Sequence, residues 1–234
     1  MKILAFDGTA KIATVAVLED GRVLGEYTID NGLTQSELLL PMAEDLLRSL
    51  KLSFSDIELF ATAVGPGSFT GVRIGVSLIK GLAFGRGVPC VEVSTLEALA
   101  ENLKGLCGIL APCMDARRGQ VYNALFECDG EKITRLCPDR AISLEELSGE
   151  LCGYEGKRIY ISGDGYGVAS RALEGKLSGL TATPELLIGA SAASVARVAE
   201  KKYALGETVS DSELSPTYLR LPQAERERLE RLNK

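Results

Sequence analysis

One order of elements is written twice in this chain. An apolar run from Lys2 to Phe6 ends in Asp7-Gly8-Thr9, and a β-rich stretch from Ile12 to Leu18 follows. After the turn Glu19-Asp20-Gly21, the alternating stretch Arg22 to Ile29 reads as a third strand. Gly108 to Asp115 is again an apolar run ending in Asp, a turn with Gly119 leads into Val121 to Cys128, and Ile133 to Leu136 comes next. A strand with a terminal Asp, a polar turn and two more strands before any helix, in both halves, implies a duplicated unit. At about 150 residues per domain, a chain of 234 residues suits two compact units. The boundaries fall at 1–104 and 105–212, with the tail 213–234 expected to pack back on the first unit. The fold class is α/β, each unit carrying a mixed sheet flanked by helices.

Helix signals fill in the rest. Thr34 and Glu37 form a capping box for a helix running to Leu50, which Pro41 should bend. Leu59 to Val64 is a strand, Gly65 to Gly71 a loop, and Val72 to Phe84 an apolar helix. Pro89 to Val93 is a strand, and Ser94 with Glu97 caps a helix ending near Leu103. In the second half Ser143 and Glu146 cap a helix, Arg158 to Ser162 is a strand, and Ser191 opens an Ala-rich helix to about Leu205. Ser215 to Arg220 is a non-helical connector, and Gln223 to Lys234 reads as a marginal helix at a solvated end.

Composition removes whole classes of chemistry. The chain has no histidine, so His-based triads, HExxH zinc sites and facial iron sites are excluded together. Its net charge of -6 opposes nucleic acid at long range, so another component must grip most of any RNA involved. Cys90, Cys107, Cys113, Cys128, Cys137 and Cys152 form no CxxC pair, and most of them read as reduced core thiols. No apolar run approaches the roughly 18 residues of a membrane span, and the opening MKILAFDGTA reads as a core strand rather than an export signal. The expected location is the cytoplasm, with no membrane partner.

Two groups of residues carry candidate function. Asp7 and Thr9 on the first turn and Asp115 on the second are placed as in a turn that faces a phosphate and a hydrated magnesium ion; ordinary Asx-turn chemistry accounts for them equally. Gly163-Asp164-Gly165-Tyr166-Gly167 lies between strand and helix, but Val168 stands where a dinucleotide fingerprint needs Gly. The loop Gly65 to Gly71 is followed by Val72 and Arg73, which excludes a P-loop. Asp7, Thr9, Asp115, Gly163 and Gly165 would be the remnants of a nucleotide site in the ancestral unit, and no catalytic residue, metal ligand or cofactor is expected. The second group is an interface. Gly71, Gly75, Leu78 and Leu82 share one helical stripe where another helix could approach, while Leu38 and Met42 point away from the core face made by Leu39, Ala43 and Leu46. With Arg73 they make the expected partner surface; the alternative is that both helices simply cover the sheet.

Five segments together resemble the TsaB family, partner of TsaD in making threonylcarbamoyladenosine in tRNA. They are the opening strand into Asp7, GPGSFTGVRIG from Gly65 to Gly75, Ser94 to Ala100, Asp115 to Tyr122, and Pro216-Thr217-Tyr218-Leu219-Arg220. Gln35 stands where that family often has His. The resemblance implies an actin-like, sugar-kinase-like (ribonuclease H-like) fold of two related domains. It implies a non-catalytic subunit that pairs with TsaD, works with the ATPase TsaE, forms a homodimer when alone and meets tRNA only within the complex. By the same resemblance, the HxxxH pair with which TsaD holds a metal falls on Thr95 and Leu99, neither of which can replace imidazole. The rival reading is an ATP-hydrolysing enzyme or small-molecule kinase using Asp7, Thr9 and Asp115 around magnesium. A protease is disfavoured, since no GxSxG surrounds Ser68.

Overall fold

The computed structural model describes residues 1–220; the expected helix from Gln223 to Lys234 lies outside the described residues. The first sheet is built from β1 (Lys2–Asp7), β2 (Ala13–Glu19), β3 (Arg22–Ile29), β4 (Leu59–Ala63) and β5 (Cys90–Val93), in the order β3-β2-β1-β4-β5. β1, β2 and β3 form an antiparallel meander, and β4 and β5 add in parallel beyond β1. Strands β1 and β4 are buried from Ile3 to Asp7 and from Leu59 to Ala63, and mostly apolar, because helices cover both faces of the sheet.

The second sheet repeats the plan. β6 (Gly108–Asp115) pairs antiparallel with β7 (Gln120–Asn123) and β8 (Phe126–Cys128). β9 (Ile133–Arg135) and β10 (Arg140–Ser143) continue from them, and β11 (Ile159–Ser162) lies parallel to β6, as β4 does to β1. The single strand expected from Val121 to Cys128 is broken at Ala124 and Leu125, where the Leu125 amide donates to Cys137 Sγ at 3.1 Å and its carbonyl accepts from Leu136. β10 carries no apolar run of its own and was not foreseen.

Six helices complete the described chain: α1 (Gln35–Ser49), α2 (Phe69–Ala83), α3 (Thr95–Asn102), α4 (Leu144–Leu151), α5 (Tyr166–Leu173) and α6 (Ala192–Ala204). The Thr34 amide donates to Glu37 Oε2 at 2.9 Å, closing the capping box of α1, which continues unbroken through the exposed Pro41. α2 begins at Phe69 rather than Val72 because Ser68 is its cap, its Oγ accepting from the Gly71 amide at 3.3 Å.

Packing revises three expectations. Leu38 and Met42 are buried in the core that α1 and α2 form over the first sheet, with Leu4, Phe6 and Phe60, so they do not face a partner. α6, grouped by sequence order with the second half, instead lays Ala192, Val195, Ala196 and Ala199 against Ala5, Ala16 and Ala61 of the first sheet. Small residues on both surfaces permit that close approach. Cys107 and Cys152 are exposed, whereas Cys90, Cys113 and Cys128 are core residues.

The glycines of α2 serve the chain itself. A Cβ on Gly71 would fall 1.9 Å from the Gly8 carbonyl oxygen, and one on Gly75 would fall 2.9 Å from Thr62 Oγ1. Both glycines therefore let α2 press against the first turn and β4, and neither notches an outer surface. Gly81 has nothing within 4 Å. Gly71→Ala is expected to destabilise the protein by about 3 kcal/mol or more, as overpacking against backbone does, whereas Gly81→Ala should stabilise it by about 0.5–1 kcal/mol. Urea unfolding of the two variants checks this, and equal midpoints would contradict the packing.

Candidate functional site between the two halves

The end of β1 meets the loop before α2, and the end of β6 meets the loop before α5. Asp7 is fully buried; its Oδ1 accepts from the Thr9 amide at 2.8 Å and from Thr9 Oγ1 at 2.7 Å. Its Oδ2 is buried without a hydrogen-bond partner among the described residues. Burial pushes the Asp7 carboxyl up to about 6, the two bonds from Thr9 oppose this, and the Asp164 carboxylate adds to it.

The backbone of the first turn is spent on the protein. Thr9 O accepts from the Ser68 amide at 2.7 Å, Gly8 O lies on Gly71, and a Cβ on Gly67 would fall 2.5 Å from Thr9 O. Gln35, the residue that departs from the family pattern, reaches the same turn: its Nε2 donates to Ala10 O at 2.7 Å. The Thr9 amide that would greet a phosphate already donates to Asp7.

The second half brings Asp115, Gly163 and Gly165 together, but as packing. The Gly165 amide donates to Cys113 O at 3.0 Å, and a Cβ on Gly163 would fall 2.3 Å from the same oxygen. Asp164 Oδ1 accepts from the Asp115 amide at 2.8 Å. Burial raises the Asp164 carboxyl; the Asp115 amide lowers it, the Asp115 carboxylate raises it, and the Lys11 ammonium lowers it. Thr95 is buried with its Oγ1 unpaired, and Leu99 fills the core between the halves beside Leu96 and Met114. A hydroxyl and an apolar side chain supply no imidazole-like donor pair. No group of three His, Cys, Asp or Glu that could hold a metal occurs among the described residues.

Of the expected interface residues, Arg73 is exposed and Leu78 and Leu82 are half-buried on the outer side of α2, while Leu38, Met42, Gly71 and Gly75 point inward. What the outer faces of α1 and α2 share is a groove of about 490 Å³, with Leu39, Leu40, Phe69, Ile74 and Leu78 as its apolar lining and Arg73 as its cation. Leu40 and Phe69 were missed in the sequence. Their signal is the i, i+4 spacing of Ser36 to Leu40 and of Phe69 to Arg73, which puts each pair on one outward stripe.

The buried Asp7 makes stability depend on pH. Its folded value lies above the unfolded one, so between about pH 4 and 6 the native chain holds a proton that the unfolded chain has released, and stability falls as pH rises through that window. Asp7→Asn keeps an acceptor for Thr9 without the buried charge. It is expected to flatten this slope and to be more stable than the parent at pH 7.5, by about 1–3 kcal/mol. Thermal melts at pH 4, 5, 6 and 7.5 read both effects, and a variant less stable at pH 7.5 would contradict them.

Comparison with known proteins follows the same lines. The family described as "TsaD: tRNA N6-adenosine threonylcarbamoyltransferase" matches residues 34–165. The tRNA threonylcarbamoyladenosine biosynthesis protein TsaB of Bacillus subtilis is 32% identical over 228 residues, covering 96% of each chain. The Escherichia coli protein of the same name is 33% identical over 94% of this chain and 95% of its own. The solved structure of YeaZ from Pseudomonas aeruginosa superposes with a TM-score of 0.79 at 26% identity, covering 93% of this chain and 99% of that one. The fold is the mixed α/β one of YeaZ, its two sheets built on one repeated plan. With a match this close across nearly its whole length, the chain belongs to the TsaB family.

Proposed function

We propose that this protein is a non-catalytic subunit in the formation of threonylcarbamoyladenosine in tRNA, acting as the partner of a TsaD-type transferase and working with TsaE. The groove between α1 and α2 carries this reading. Leu40 is 38% exposed, an apolar side chain beside the groove cation Arg73 on the outer faces of two adjacent helices. Such a surface suits a helix-in-groove contact. In isolation the same face would meet its counterpart on a second copy, giving a two-fold homodimer. With a net charge of -6, the chain meets tRNA only as part of the complex. The place of work is the cytoplasm; no helix of the described residues is long and apolar enough to cross a membrane.

The groove also replaces the targets that the sequence suggested. Gly75 lies against Thr62, so a bulky residue there would disturb the fold before it disturbed docking. Leu40→Asp places a charge in the groove instead. It is expected to lower affinity for TsaD by about tenfold or more while moving the melting temperature little, as read by gel filtration and calorimetry of the mixed proteins. Coelution as strong as that of the parent would overturn the assignment of the groove.

One observation favours the kinase-like alternative: the unpartnered, buried Oδ2 of Asp7 is a free acceptor for a cation. Against it, the Thr9 amide and the Thr9 and Ala10 carbonyls of the first turn are bonded within the chain, and the Gly163–Gly165 loop is packed on Cys113. Calorimetric titration of the isolated chain with ATP and magnesium is expected to give no binding heat at millimolar nucleotide. Tight binding would restore the enzyme reading.

A further inference from the structure

The segment after α6 crosses from one half of the molecule to the other in a few residues. Leu214 is fully buried in the core over the first sheet, and the Ser215 amide donates to Glu92 Oε1 on β5 at 2.7 Å. The Thr217 amide donates to Val64 O at 2.8 Å, and Thr217 O lies so close to Gly65 that a Cβ there would come within 2.6 Å. Gly65 has φ +115°, a conformation that glycine alone adopts readily. This end of the segment is fastened to the first half.

Beyond it the contacts change in kind. The Tyr218 ring stacks on Phe69 with centroids 4.6 Å apart and planes 17° apart, and its Oη accepts from Arg73 Nε at 2.7 Å. The Arg73 guanidinium lies 5.5 Å from the Tyr218 ring centroid and 5.9 Å from that of Phe69. Leu219 packs against the core between the halves. Arg220 then reaches the second turn: its guanidinium donates to Gln120 Oε1 and to Ala116 O, and lies 5.6 Å over the Tyr122 ring. Phe69 and Arg73 line the α1–α2 groove, so a continuous set of contacts runs from the groove wall to the turn after β6.

We propose that residues 217–220 form a latch that couples the second turn, residues 116–122, to the groove wall made by Phe69 and Arg73. Leu214, Ser215 and Thr217 are the fixed anchor, and the half-exposed Tyr218 and Arg220 are the releasable end. While Arg220 is seated, Tyr218 is held on Phe69 and fixes where the Arg73 side chain lies. When Arg220 leaves Gln120 and Tyr122, Tyr218 is tethered from one side alone, and the wall loses its set geometry. Coupling of this kind is reciprocal, so whatever occupies the groove is also felt at the second turn.

The test is amide hydrogen exchange of the full chain, read by mass spectrometry, on the parent protein and on Arg220→Ala, Gln120→Ala and Gly81→Ala. The Arg220 side chain touches only second-half residues in the contacts above, and Gln120→Ala removes its acceptor from the opposite side. Both variants are expected to speed exchange at 116–122 and also at 69–73, by about tenfold for Arg220→Ala, which loses the cation–π contact and both hydrogen bonds, and by a smaller factor for Gln120→Ala, which loses one charged hydrogen bond. Gly81→Ala, outside the latch, should speed exchange at neither segment. Faster exchange confined to 116–122, or no change in either variant, would overturn the latch. The lone chain suffices for this readout. Adding TsaD extends it on the strength of the partner reading: the parent should gain protection at 116–122, and Arg220→Ala should not. Failure of TsaD to bind the parent would remove the partner reading and leave the lone-chain result to decide the latch.

Discussion

The arrangement depends on one close approach, the carbonyl of Gly8 against the Cα of Gly71. It fixes the first turn of α2 on the turn after β1, and Ser68 secures the same junction by capping the helix with its Oγ and donating its amide to Thr9 O. Because α2 is held there at its start and by Gly75 against Thr62 one turn later, its register on the sheet is set within its first two turns. That register turns Val72, Val76 and Ile79 inward and leaves Phe69, Arg73 and Leu78 to line the groove with α1. The interior packing of two glycines thus determines which surface is offered outside.

The same approach bears on chemistry. A turn that holds a phosphate presents free amides and room for the ligand. Here the Thr9 amide is bonded to Asp7, the Gly8 and Thr9 carbonyls are covered by α2, and Gln35 closes over Ala10. In the second half, Asp164 caps the Asp115 amide and Arg220 is seated on Ala116 and Gln120. The two turns diverge from one plan, and each has protein atoms where a ligand would approach. One turn receives a helix and the other receives the Arg220 side chain.

Much of this was legible in the sequence, and the exceptions have physical causes. The doubled strand pattern gave both sheets because apolar runs ending in Asp recur in the same order. Capping pairs located the starts of α1, α3, α4 and α6 because a hydroxyl three residues before an amide is a local signal, readable without tertiary context. Facing was harder. On α1, Leu38 and Met42 occupy a stripe beside that of Leu39 and Leu46, and both stripes are buried because the helix lies in the angle between the sheet and α2. A period of 3.6 finds an apolar face but not its width. The glycines of α2 carried a true signal of close approach, but periodicity cannot say what approaches. The return of α6 to the first sheet was illegible for a similar reason, since small residues fit any close surface and the matching Ala5, Ala16 and Ala61 lie far away in sequence.

The repeated aspartate has the same structural task in both halves. Asp7 Oδ1 accepts from the amide two residues on, at Thr9, and Asp115 Oδ1 accepts from the amide two residues on, at Arg117, at 2.7 Å. This is the Asx turn, in which a short carboxylate stands in for a backbone carbonyl and bends the chain after a strand. The bend after β1 is what delivers Gly8 O to Gly71, so Asp7 has a structural task that needs no ligand. Its second oxygen is buried without a partner among the described residues and works against stability at neutral pH, while the first oxygen shapes the turn on which α2 rests. Turn geometry therefore accounts for both aspartates at once, and a nucleotide is not needed to explain either.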